Sequence, residues 1–246
     1  MTKKILNLAT ITAVALFGSA RMYAIDLEMV LNDGLGASIT VDVTGGVVTS
    51  STGGGAVVLT SSYTTAGGLH LTGTVGQFAI DATGAGKLNT TLPTLLNFNQ
   101  INVSSTGKGT LTSSVTSTGY TGLGSNFVYA ISGVESIQIN TSPITFNAFG
   151  SSAGAIPATT TIGTFANQSG ISFANSGTFA NPIGATGSLT EKAVAVFSGI
   201  GTLQYNQTLS SAPTPSVPEP TSVMLLGSAL LGAAAIFRRR IEGKRS

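Results

Sequence analysis

The sequence contains no cysteine, no tryptophan and a single histidine, and only 8% of its 246 residues are charged. Without cysteine the chain can form no disulfide scaffold, no thiol nucleophile and no cysteine-based metal site. His70 has no second histidine to help it hold a zinc ion, so we expect neither a metal site nor a cofactor. The absence of tryptophan removes the largest aromatic surface available for stacking on a sugar ring.

The few basic residues are concentrated at the two ends of the chain. Residues 25–216 contain seven acidic and three basic side chains, a net charge of about −4, whereas the whole chain has a formal charge of +2. A protein that binds nucleic acid needs a basic patch to neutralise phosphates. We therefore expect no nucleic-acid partner.

The abundant residue types indicate a β-rich fold. The chain has 63 serine and threonine residues, 32 glycines and a hydrophobic fraction of 42%, which is too high for a disordered chain. Threonine, valine, isoleucine and phenylalanine suit a half-buried strand, and glycine suits the turns between strands. Composition alone predicts an all-β protein.

Short stretches in which apolar residues recur every second position also favour an all-β protein. In residues 38–43, Ile39, Val41 and Val43 alternate with polar residues, so that one face of a strand is apolar. About ten to twelve such strands are expected, and we predict an antiparallel β-sandwich, jelly-roll-like, over residues 25–210. Further candidate strands are 77–81, 96–103, 126–132, 136–140, 144–149 and 193–198.

The N-terminal residues 1–24 have the pattern of a Sec-type signal peptide. Lys3 and Lys4 form a basic region, an uncharged apolar stretch follows, and small residues precede two candidate cleavage points, after Ala20 or after Ala24. Cleavage after Ala24 is preferred because a strand-like alternation begins immediately after it. We expect export through the Sec translocon.

The C-terminal residues form a spacer, an apolar helix and a basic tail. Prolines keep residues 211–220 extended. Residues 221–237 carry no charge, and as a helix they would span roughly 26 Å, slightly less than a hydrocarbon core of ~30 Å. A basic tail, 238–246, begins with three arginines that would hold this end in the cytoplasm and leave the main domain outside. These are Arg238, Arg239 and Arg240.

This arrangement resembles the PEP-CTERM sorting signal. The motif consists of Pro218, Glu219 and Pro220, followed by the apolar segment and the arginine cluster. The resemblance implies recognition by an exosortase, an inner-membrane intermediate held by a single transmembrane helix, and cleavage near the motif. It also implies a Gram-negative bacterium that makes extracellular polysaccharide, with the protein at the cell surface or secreted into a biofilm matrix. It implies nothing about the ligand of the main domain.

Three features of the main domain suggest chemistry, and none is expected to provide it. Residues 150–154 match the nucleophile pattern Gly-x-Ser-x-Gly, but no helix is predicted after Ser152 and no histidine follows it. Asp26 and Glu28 share one face of a strand, as glycosidase carboxylates can, and are expected to keep an edge strand soluble. His70 should point away from the face that Leu69 and Leu71 bury. We expect no catalytic residues.

Glycines repeat every seven residues in the later part of the domain, at Gly163, Gly170, Gly177 and Gly184. A β-solenoid turn is conceivable from this period. The Phe-Ala-Asn triplets nearby are unevenly spaced, which favours a glycine-rich loop or an edge hairpin.

The sequence leaves three functions open. The first is a structural or adhesive component of the surface or matrix, associated with extracellular polysaccharide. The second is a carbohydrate-binding module of the jelly-roll type. The third is an extracellular hydrolase that depends on Ser152 or Asp26.

Overall fold

The computed structural model describes residues 26–64, 68–86, 94–135 and 143–211, and within these ranges every regular element is a β-strand. The signal peptide, the candidate strand 136–140, the spacer, the apolar segment and the basic tail lie outside the described residues. The part of the chain that is described has no helix long and apolar enough to cross a membrane.

Fourteen strands in the described ranges form two sheets of seven, all antiparallel between neighbours. Sheet A has the spatial order β11 (Thr160–Gln168), β10 (Ile144–Ser151), β13 (Thr186–Phe197), β8 (Gly109–Thr121), β1 (Leu27–Asn32), β2 (Ser38–Thr44) and β3 (Val47–Gly53). Sheet B has the order β12 (Ser172–Ala180), β9 (Asn126–Glu135), β14 (Gly201–Ser211), β7 (Thr94–Ser105), β6 (Phe78–Gly86), β5 (Gly68–Val75) and β4 (Val57–Thr64).

The predicted all-β sandwich is therefore confirmed, with more strands than the ten to twelve expected. The apolar residues whose alternation predicted the strands are the residues that are buried in the structure. Ile39, Val41 and Val43 on β2 are all buried, and the intervening Thr40 and Asp42 lie on the outer face. The same holds for Phe78 and Ile80 on β6. Each buried side chain of this size stabilises the fold by about 1.5–3 kcal/mol.

Aromatic rings join the two sheets across the core. Phe146 of sheet A meets Tyr205 of sheet B edge-on, with ring centroids 5.4 Å apart. At another point Phe197 of sheet A lies 5.3 Å from Phe78 of sheet B. Pairs in these geometries stabilise by about 0.5–1.5 kcal/mol beyond the area they bury. The rings therefore fix how the sheets lie on each other.

The two sheets meet at both ends of the sandwich through consecutive strands. At one end a turn joins β3 to β4, and Gly54 in this turn has φ +56°. A Cβ atom there would collide with the backbone at Gly36, so glycine is required. At the other end β11 is the last strand of sheet A, and β12 is the last strand of sheet B.

Two of the four repeated glycines lie in these last two strands, and Gly170 and Gly184 lie outside the strands. The repeat forms neither a solenoid nor a hairpin. β11 pairs with β10 and β12 pairs with β9, so the two strands are edges of different sheets. Two of the repeated glycines make room for a ring. A Cβ atom on Gly163 would lie 2.7 Å from the Phe179 ring, and one on Gly177 would lie 3.0 Å from it. The repeat reflects ring packing at this end of the core.

Replacing Val41 with Asp should destabilise the domain by at least about 3 kcal/mol, because it places an unpaired charge in the core. Thr40→Asp on the outer face of the same strand should cost less than about 1 kcal/mol. Urea unfolding followed by circular dichroism measures both variants. Equal losses of stability would show that the register of β2 is wrong.

Candidate functional site

A groove crosses the outer face of sheet B. It has a volume of about 700 Å³ and is lined by residues of six strands, β4, β5, β6, β7, β9 and β14. Because each strand sends alternate side chains into the core, the others stand side by side on this face. Six of the lining side chains carry a hydroxyl or amide group, although most of the lining area is apolar; the six are Thr72, Thr74, Asn102, Ser104, Thr202 and Gln204.

Two exposed apolar side chains border the polar groups of the groove. Leu59 on β4 is 67% exposed and Val134 on β9 is 47% exposed. The described residues that line the groove include no lysine, no arginine and no aromatic residue. The arrangement can donate and accept hydrogen bonds along its length, and it can make apolar contacts at two places.

Two carboxyl groups also line the groove. A hydrogen bond joins Asp81 on β6 to His70, and His70 Nε2 lies 2.8 Å from Asp81 Oδ1. The Asp81 side chain is 53% exposed and the His70 side chain is 44% exposed, so solvent strongly screens the interaction between them. Glu135 at the end of β9 is buried, and burial raises the pKa of its carboxyl group. Among the described residues that line the groove, neither a lysine nor an arginine stands beside these carboxyl groups.

His70 lies where the sequence predicted. Leu69 and Leu71 on either side of it are fully buried, and His70 stands on the outer face of β5. Its contact with Asp81 was not predicted, because the two residues lie on different strands. The pair fixes the orientation of a groove carboxylate.

The Gly-x-Ser-x-Gly match does not form a nucleophile site. Ser151 ends β10, and its Oγ accepts a hydrogen bond from the Ala155 amide at 3.3 Å. A turn and an irregular segment follow, and β11 is the next element. Ser152 is exposed in that turn, while His70 belongs to the other sheet. The absence of a helix after the serine agrees with the prediction.

Asp26 and Glu28 were expected on an edge strand, and this is wrong. β1 lies between β2 and β8 near the middle of sheet A, because later strands add on both sides of it. Glu28 pairs across the ladder with Asp42. Burial raises the pKa of Glu28, and the charge of Asp42 and a hydrogen bond with it raise it further.

A group of polar side chains lies inside the sandwich, and sequence reasoning missed it. Glu191 is completely buried on the inner face of β13. The Tyr129 hydroxyl donates to Gln207 Oε1 at 2.6 Å, and the Tyr205 hydroxyl bonds to Ser113 Oγ. Neither carboxyl oxygen of Glu191 has a hydrogen-bond partner among the described residues, and the same holds for Gln207 Nε2.

The interior favours the neutral form of Glu191 over the charged form. Burial raises the pKa of its carboxyl group well above the usual range, and the nearby backbone of Phe98 opposes this only in part. Burial raises the pKa of Tyr129 as well, with a further contribution from the charge that Glu191 would carry. An ionised carboxylate without partners at this depth would be costly.

Replacing Glu191 with Gln should change how stability depends on pH. The native state holds the Glu191 proton to a higher pH than the unfolded state, whose pKa is near 4.5. Stability of the wild type should therefore fall as pH rises above 4.5, by up to about 1.4 kcal/mol per pH unit from this group. Glu191→Gln should lack this fall. Urea unfolding between pH 4 and 8 measures it, and parallel profiles would contradict the assignment.

The predicted terminal sites lie outside the described residues. These are the cleavage point at Ala24, the motif residues Pro218, Glu219 and Pro220, and the arginine cluster. Comparison with protein families tests the C-terminal motif directly. The model of the PEP-CTERM protein-sorting motif matches residues 216–240. The chain carries a PEP-CTERM sorting motif. The motif indicates an exported protein that is anchored in the membrane before an exosortase cleaves it.

No curated protein matches the chain. Among solved structures, a carbohydrate-binding module of the β-sandwich superfamily with promiscuous specificity is 10% identical, with a TM-score of 0.32, and the match covers 76% of this chain and 84% of that one. The N-terminal cellulose-binding domain of Cellulomonas fimi β-1,4-glucanase C is 13% identical, with a TM-score of 0.30 and coverages of 47% and 80%.

A third similar structure is the module TmCBM61 in complex with β-1,4-galactotriose. It is 5% identical, with a TM-score of 0.33, and the match covers 56% of this chain and 90% of that one. TM-scores near 0.3 are too low to support an argument about ligand or mechanism.

Proposed function

We propose that this chain is an exosortase-sorted, non-catalytic protein of the cell surface or extracellular matrix that binds extracellular polysaccharide along the groove of sheet B. The observation that supports the proposal is the row of hydroxyl and amide side chains along a groove that crosses six strands and also offers apolar surface. Export through the Sec translocon rests on residues 1–24, and anchoring before cleavage rests on residues 221–237.

The lining suits the hydroxyl groups of a sugar polymer. Each sugar hydroxyl both donates and accepts, and the amides of Asn102 and Gln204 do the same from the middle of the groove. Thr72 and Thr74 add hydroxyls from β5. An elongated groove open to solvent can hold several consecutive residues of a polymer.

The charge of the groove favours a neutral polymer. Asp81 and Glu135 are acidic, and no lysine or arginine stands beside them among the described lining residues. An anionic polysaccharide would meet repulsion without compensation. Binding of a neutral chain through hydrogen bonds alone is weak at each site, and many copies in a matrix compensate for this through avidity.

Replacing Asn102 and Gln204 together with Ala should weaken binding of the host's own polysaccharide by about tenfold, because each lost hydrogen bond contributes about 0.5–1.5 kcal/mol. The matched control replaces two amides of sheet A, Asn147 and Gln168, and should leave the affinity unchanged. Isothermal titration calorimetry of the full chain measures both double variants.

Equal losses in the two double variants would contradict the placement of the site on sheet B. An absence of saturable binding to neutral polysaccharide would contradict the binding function. Release of reducing ends that Glu135→Gln abolishes would contradict the non-catalytic part of the proposal.

Replacing Glu219 with Ala should block C-terminal processing and leave export intact, because the N-terminal segment is unchanged. The variant should accumulate in the inner membrane, whereas the control Thr214→Ala, outside the matched residues, should be processed normally. Cell fractionation followed by mass spectrometry of the C-terminal peptides distinguishes the two. Normal processing of Glu219→Ala would contradict exosortase sorting through this motif.

A further inference from the structure

The edge strands of the described sandwich contain neither charged residues nor prolines, two of the usual protections against pairing with other chains. Edge strands expose rows of unpaired N–H and C=O groups, and natural β-proteins shield them with charged residues, prolines or β-bulges. The four edge strands here are β3, β4, β11 and β12. None of the four contains a charged residue or a proline.

Two of these edges are irregular and two are regular. The ladder of β11 with β10 shifts register twice, and the ladder of β4 with β5 shifts once, as β-bulges do. β3 pairs with β2 over seven consecutive residues without a shift, and β12 pairs with β9 over nine. β3 and β12 are therefore the edges that neither charge, proline nor bulge protects.

The outward backbone groups of β3 can be identified from its hairpin. A two-residue turn, Gly45 and Gly46, joins β2 to β3, so Thr44 and Val47 form the hydrogen-bonded pair next to the turn. Hydrogen-bonded and non-hydrogen-bonded pairs alternate along an antiparallel ladder. The backbone groups that point away from β2 are those of Val48, Ser50 and Thr52.

The same alternation identifies the outward groups of β12. At one end of β12 the backbone N–H of Asn181 donates to the carbonyl of Ser125, and at the other end the N–H of Glu135 donates to the carbonyl of Ile171. Because Asn181 and Ile171 are both odd-numbered, the odd-numbered residues of β12 are the ones that bond to β9. Even-numbered residues from 172 to 180 point outward. Ser176 agrees with this, because its N–H donates at 2.8 Å to the side chain of Asn175 instead of to a strand.

Side chains on both edges leave room for a neighbour. Five of the seven residues of β3 are exposed, and Val47 at its start is 64% exposed. The even-numbered residues of β12, whose backbone groups point outward, are all serine, alanine or threonine. Small uncharged side chains allow another strand to approach at the ordinary spacing of about 4.8 Å.

We propose that copies of this chain join head to tail, with β3 of one copy pairing with β12 of the next. β3 ends sheet A at one end of the sandwich and β12 ends sheet B at the other, so each copy offers both halves of the contact. Such a heterologous contact produces an open filament, or a closed ring where the rotation between copies completes a circle. Pairing of β3 with β3 would leave β12 unprotected in every dimer. This assembly is independent of the proposed polysaccharide binding.

The test removes one outward N–H from each edge. Ser50→Pro on β3 and Thr178→Pro on β12 delete an outward donor without breaking a bond within the sheet. Ser50→Ala and Thr178→Ala change the same side chains and keep the donor. Each full-length variant is purified in detergent, checked by circular dichroism, and examined by sedimentation velocity and electron microscopy.

Wild type and both alanine variants should form filaments or closed rings, and each proline variant alone should be monomeric. An equimolar mixture of the two proline variants should form a dimer and stop there, because each retains a different intact edge. A monomeric wild type, filaments in either proline variant, or no dimer in the mixture would overturn the proposal. If a proline variant is unfolded, Ser50→Lys or Thr178→Lys replaces it with the same expected results.

Discussion

Apolar side chains from the two sheets interdigitate in one layer, and the remaining features of the molecule depend on that layer. In most of the described strands every second side chain lies in the core, as Leu69 and Leu71 do on β5. The alternate side chains are then free of any role in the core. This is why both outer faces can be rich in serine, threonine, asparagine and glutamine without loss of stability.

The core is also the place where the chain departs from simple apolar packing. Glu191, Gln207 and Tyr129 lie between the sheets with several polar atoms unpaired among the described residues. A neutral carboxylic acid can be accommodated there, whereas a charged one would be expensive. Burying these polar groups lowers the stability of the centre of the sandwich, and ring contacts such as that of Phe146 with Tyr205 stabilise the same region.

Much of the fold could be predicted because alternation is a local signal. Ile39, Val41 and Val43 identified both a strand and its buried face. Glu191 was missed because the predicted strand began at residue 193, two residues after it. Extending the alternation of Ala193 and Ala195 back by one step would have placed Glu191 inside.

The groove could not be predicted, because six strands distant in sequence contribute to it. Asp81 and His70 lie eleven residues apart on different strands. Only strand pairing places His70 Nε2 2.8 Å from Asp81 Oδ1. The position of β1 was missed for the same reason. Sequence shows which face a residue occupies, but the order of strands in a sheet depends on contacts between distant segments.

The central claim is that the outer face of sheet B, and not that of sheet A, meets the polysaccharide. Nuclear magnetic resonance of the side-chain amides during titration with oligosaccharides of the host polymer tests it most directly. The account predicts saturable shifts for the amides of Asn102 and Gln204 and none for those of Asn147 and Gln168. Shifts confined to Asn147 and Gln168, or no shift at any of the four, would contradict it.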